Sequence, residues 1–90
     1  MKVYFDTEEI EQKMPLPRGK DHGTFEFSFV WCDARGLRVL DRRFSTETRS
    51  YQGTYNIAKL SAKAYAKSVT ATECVISLES YDLEAQAKGE

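Results

Sequence analysis

The chain has one histidine, two cysteines and no apolar run of signal-peptide or membrane-spanning length, and each scarcity removes a class of function. Two cysteines, Cys32 and Cys74, make neither a disulfide framework nor a four-ligand metal site. Both fall in strand-like runs where reduced thiols are expected, with a disulfide between them an option only if those strands are neighbours. His22, at the end of a polar connection, is the only conventional base a cysteine or serine nucleophile could use, so no catalytic residues are assigned. Gly19, Gly23, Gly36, Gly53 and Gly89 are scattered singly, which excludes a phosphate-binding loop, a dinucleotide fingerprint and a nucleophile elbow. The expectation is a non-enzymatic cytoplasmic protein without metal or cofactor.

Charge of one sign is also lacking. Thirteen basic and fourteen acidic residues leave a net charge of −1, unlike a dedicated nucleic-acid binder. The charges are nonetheless unevenly placed. Residues Gly23 to Ala71 carry eight basic and four acidic side chains, whereas Thr72 to Glu90 carry one and five. With 90 residues, 41% of them hydrophobic, the chain has the size and apolar content of one small domain.

The clearest pattern runs from Thr24 to Cys32. Phe25, Phe27, Phe29 and Trp31 alternate with Glu26, Ser28, Val30 and Cys32, which predicts a strand with one aromatic face. Four successive large rings on one face read as core rather than as a base-stacking platform. Asp33-Ala34-Arg35-Gly36 has the residues of a type I turn, and Leu37 to Phe44 continues as the second strand of a hairpin. After the polar bridge Ser45 to Ser50 the period becomes helical from Tyr51 to about Lys67. Gln52, Asn56, Lys59, Lys63 and Lys67 form one polar stripe, and Tyr51, Tyr55, Ile57, Leu60, Tyr65 and several alanines form a wide apolar face. Alternation returns from Thr72 to Glu79.

The fold expected is therefore α+β: a small, antiparallel-rich sheet with a ββαβ core and one helix on one face. Lys2 to Phe5 would add a fourth strand if it pairs. Residues 1–22 read as an N-terminal extension in which Asp6-Thr7-Glu8-Glu9 has capping-box spacing and Pro15 and Pro17 sit in an exposed connection. The domain proper is expected over 23–83, followed by a flexible tail over 84–90.

Candidate binding residues are basic and aromatic. Arg35, Arg38, Arg42 and Arg43 crowd the second strand and its turn, and Lys59, Lys63 and Lys67 repeat every four residues on the helix. Tyr51 and Tyr55 border its apolar arc, where a ring can be buried while its hydroxyl stays wet. These residues would meet an acidic protein surface, phosphates or only solvent.

Gly23-Thr24-Phe25-Glu26-Phe27-Ser28-Phe29, the turn, the basic second strand, the Thr/Ser-rich bridge, the alanine-rich helix and the final strand together resemble the small ββαβ proteins of phages and mobile elements. Some anti-CRISPR inhibitors are among them. The resemblance spans about residues 23 to 80 in architecture, size and composition. It implies a protein-binding inhibitor, monomeric or homodimeric, that occludes a site on a host nucleoprotein complex. The alternative is a small nucleic-acid-binding or regulatory protein using the same basic strand and helix stripe.

Overall fold

In the computed structural model, which describes residues 1–84, the aromatic segment is strand β2 (His22–Cys32). Successive side chains of a strand point to opposite faces. Phe25, Phe27, Phe29 and Trp31 therefore lie together, each no more than 2% exposed, while Glu26, Ser28, Val30 and Cys32 are half-buried on the other face. The hairpin turn forms as expected. Gly36 N–H donates to the Asp33 carbonyl at 2.9 Å, Gly36 takes φ +82°, and the Asp33 carboxylate accepts from the N–H groups of Arg35 and Leu37. Its carboxyl is consequently held below the usual aspartate range, the Leu37 N–H being the main cause. Strand β3 (Arg38–Ser45) returns antiparallel to β2 with a bulge near Cys32.

Seven elements follow in the order β1 (Lys2–Asp6), α1 (Glu8–Glu11), β2, β3, β4 (Arg49–Ser50), α2 (Tyr51–Val69) and β5 (Glu73–Leu83). The sheet order is β1-β5-β2-β3, and β4 pairs with the start of β2. All pairings are antiparallel except β1 with β5. The fourth strand is thus real and mixed in sense, and a two-residue fifth strand lies in the polar bridge. The final strand runs on to Leu83, so Tyr81 docks and its hydroxyl donates to the Pro15 carbonyl. The expected tail lies, but for Glu84, outside the described residues.

Helix α2 starts where Ser50 Oγ accepts the Gly53 N–H, the side-chain cap that replaces a missing backbone partner. It crosses the aromatic face on Thr54, Ala58, Ala62 and Ala66, whose small side chains let the helix approach closely. Trp31 Nε1 donates to the Ala62 carbonyl at 2.8 Å, satisfying the one polar group the indole brings into the core. From β5, Cys74, Ile76 and Leu78 complete the packing.

Two expectations need correction. The buried stripe of α2 is narrower than the apolar face read from the sequence: Leu60 is 68% and Tyr65 49% exposed, because four-residue spacing of small side chains, not total apolar content, decides which stripe meets a sheet. The N-terminal segment is not outside the core. Ile10 is buried, Val3 and Phe5 pack on the core cluster, and Pro17 is buried within the connection. Cys32 and Cys74 are reduced as expected: they lie on neighbouring strands but on opposite faces, since Trp31, not Cys32, faces Cys74 in the register. Both thiols are free. No helix among the described residues is long and apolar enough to cross a membrane.

Candidate interaction surface

Strand β3 is an edge strand, and its alternation splits the arginines between two faces. Arg42 stands opposite Phe29 and so lies on the helix side; Arg43 stands opposite Ser28, and Arg38 opposite Cys32, on the open side. Arg35 lies in the turn, 3.3 Å from Asp33, and Arg38 is 3.3 Å from Asp41. Among the described residues, Arg42 and Arg43 have no carboxylate within 4.0 Å.

The lysines lie elsewhere. Tyr55 stacks on Phe5 of β1 with ring centroids 3.7 Å apart, so the Tyr55 flank of α2 faces the β1 edge of the sheet. Lys59, four residues on, continues that flank, and Lys63 and Lys67 turn from it onto the outer surface, all three exposed. The arginines and lysines therefore do not form one basic patch. Tyr51 and Tyr55 are half-buried, Tyr51 against Phe25, and their rings serve the core; burial pushes the Tyr51 hydroxyl pKa up.

The opposite flank of α2 carries no charge. Ile57, Ser61 and Tyr65 recur at four-residue spacing along it, with Leu60 and Ala64 exposed above them. Between this flank and β3 lie two depressions, of about 180 and about 380 Å³, that share Phe44. Phe29, Trp31 and Phe44 lie at the base of the first, Tyr65 and Ser61 form the helix wall, and Arg42 and Arg43 form the strand wall. Ile57, Arg49 and Glu47 line the second. Arg49 Nε is the one buried side-chain polar atom without a partner among the described residues.

Comparison with protein-family models, curated proteins and solved structures finds no match for this chain. The surface must therefore be read from its own chemistry.

On the open face the charges are mixed. Arg38, Asp41 and Arg43 border a shallow depression of about 330 Å³ with Ser28 and Val30. Across β2, Ser28 Oγ donates to Glu79, and Ser80 Oγ donates to Glu26, which brings carboxylates of β2 and β5 beside the arginine edge. Glu26 and Glu79 thus share the open face of the sheet with Arg38 and Arg43. His22 and Cys32 occupy opposite ends of β2, about 33 Å apart at the rise of a strand, so they form no nucleophile and base pair. The His22 ring is exposed, with Nδ1 3.0 Å from the Lys20 carbonyl. Among the described residues no three His, Cys, Asp or Glu side chains are grouped to hold a metal ion.

The residues that line the β3 groove on the helix side, Ile57, Ser61 and Tyr65, are submerged in the wide apolar arc of the sequence. The signal that distinguishes them is an uncharged i, i+4 series beside a strand rich in arginine. Only the sheet order shows that no element among the described residues covers it.

Proposed function

We propose that the chain is a non-enzymatic protein-binding module whose β3 side receives an acidic surface of a partner, and that its use is inhibitory: it occludes a site on a host nucleoprotein complex, as its resemblance to phage and mobile-element inhibitors implies. The observation that carries the reading is Arg42, which lacks a carboxylate partner among the described residues, beside a depression lined by Phe29, Trp31, Phe44, Ser61 and Tyr65, with Arg43 equally unpaired on the other face of the same edge strand. An arginine fork beside apolar area is the composition of a binding hot spot. Nucleic acid is the weaker reading, because a phosphate backbone laid on the open-face arginines would also meet Glu26, Glu79 and Asp41, and the lysines stand on the far flank of the helix.

The test is a pair of measurements on the full chain. Fluorescence anisotropy with generic single- and double-stranded DNA and RNA at about 50 mM salt is expected to show no binding, because electrostatic contacts to phosphate are strongest there. Affinity purification from the native host is expected to recover one stoichiometric partner, lost on the double substitution Arg42→Glu, Arg43→Glu. Tight nucleic-acid binding with a steep salt dependence would transfer the function to the alternative.

A further inference from the structure

We propose that the groove between β3 and α2 is the docking site for an acidic amphipathic helix of another protein, a reading that rests on the protein-binding function above and names its ligand. The geometry begins with widths. Four strands at about 4.8 Å spacing make a sheet about 19 Å across, and one helix with its side chains covers about 10 Å of it. Helix α2 lies over the inner strands, reaching the β1 edge through Tyr55 on Phe5, and Ile10 of α1 covers more of that side. Over β3 the described residues place no helix. The uncovered strip is about one strand wide, so a second helix would rest there against the flank of α2 and overhang the sheet edge.

The strip is lined for such an occupant. Ile57, Ser61 and Tyr65 span about 12 Å of α2, two helical turns, with Phe44 at the base. Leu60, 68% exposed, stands above them as a ridge against which a second helix would pack. The exposed leucine has no structural role within the chain. Charge then selects the partner's sign. On the strand wall Arg42 lacks a carboxylate among the described residues, the helix wall is neutral, and Glu47 in the second depression is 3.8 Å from Arg49, so a helix with an apolar stripe and Glu or Asp along one border gains an ion pair at Arg42. A second copy of the chain fits less well. Its only long helix carries Lys59, Lys63 and Lys67, which would approach the same arginine, and an antiparallel β3 to β3 pairing would set arginine-rich strands side by side.

The experiment uses the full chain and three synthetic 18-residue peptides: an acidic amphipathic helix with Leu at i, i+3, i+7, i+10 and i+14 and Glu on its flanks, the same peptide with Lys for Glu, and an isomer of the acidic peptide with its leucines scrambled. Anisotropy is expected to show binding of the first only, with amide shifts in NMR spectra confined to Phe44, Ile57, Ser61, Tyr65 and Arg42. Leu60→Glu and Arg42→Glu are each expected to weaken binding by about tenfold, while Lys59→Glu with Lys63→Glu leaves it unchanged. Equal binding of the scrambled isomer, shifts mapping to the open face, or a concentration-dependent dimer whose interface protects Leu60 would overturn the proposal. The two readings fail separately. If the partner recovered from the host is lost on Arg38→Glu but kept on Leu60→Glu, the binding module stands and the groove falls; if no partner is recovered yet the acidic peptide docks as described, the reverse holds.

Discussion

Gly23 shows how one residue can be fixed by the backbone around it. It sits between β4 and β5, and a Cβ built on it would lie 2.3 Å from the Asp82 carbonyl oxygen and 2.7 Å from Leu83 Cα. Both obstacles are backbone, so neither can rotate aside. Gly23→Ala is therefore expected to cost about 3 kcal/mol in urea unfolding, with the loss centred on the pairing of Gly23 with Leu83. The cysteines make a second contrast at this scale. Cys74 is fully buried, and burial pushes its thiol pKa from 9.0 up to about 11, whereas Cys32 is half-exposed on the open face. In native protein near neutral pH, iodoacetamide is expected to label Cys32 alone, and Cys74 only on unfolding, as mass spectrometry of the labelled peptides would show. The same shift has a consequence for stability. Because the folded pKa is the higher one, the unfolded thiol ionises first, so the contribution is whole below about pH 9 and lost as pH rises toward 11. Cys74→Ala should flatten that part of the urea midpoint against pH.

At the scale of elements, period-2 alternation made β2 legible, because four aromatic residues at alternate positions admit only one backbone form that gathers them on one face. The hairpin turn was legible for a similar reason: Asp33 and Gly36 are the residues its hydrogen bonds and its positive φ require. The helix was legible in extent but not in orientation. Its burial follows Thr54, Ala58, Ala62 and Ala66, and nothing local says that these small residues outrank Leu60 or Tyr65; the sheet beneath decides it. The period carries it to about Lys67, and the structure stops it after Val69 with Thr70 at φ 57°. The Thr70 and Ala71 N–H groups both reach the Ala66 carbonyl, a helix stop usually built on glycine. A β-branched residue in that left-handed conformation carries strain of about 1–2 kcal/mol. Thr70→Gly is accordingly expected to raise stability by about 0.5–1 kcal/mol after the entropy cost of glycine, visible as a higher urea midpoint with an unchanged slope.

For the whole molecule, the pairing the sequence could not reveal is the one that joins its ends. Strand β1 pairs in parallel with β5, Lys2 beside Glu73 and Asp6 beside Ser77, and no local pattern encodes a contact between segments some 70 residues apart. A parallel neighbour also leaves no hairpin signature, since its connection is the rest of the domain. Residues 1–22 therefore read as an appendage, although Val3, Phe5 and Ile10 close the β1 side of the core over Cys74 and Ile76. Among the described residues the β3 side has no such closure, and that asymmetry is what singles out the groove. Deleting residues 1–13 removes three core side chains, each contributing about 1.5–3 kcal/mol of burial, from a domain whose total stability is on the order of 5–15 kcal/mol. The truncated chain is expected to lose its dispersed amide NMR spectrum, and the synthetic 1–13 peptide added in trans should restore it in part. A truncated chain that kept its dispersion and urea midpoint would show that the ββαβ unit stands alone, with β1 and α1 as a detachable cover like the one proposed to arrive over β3.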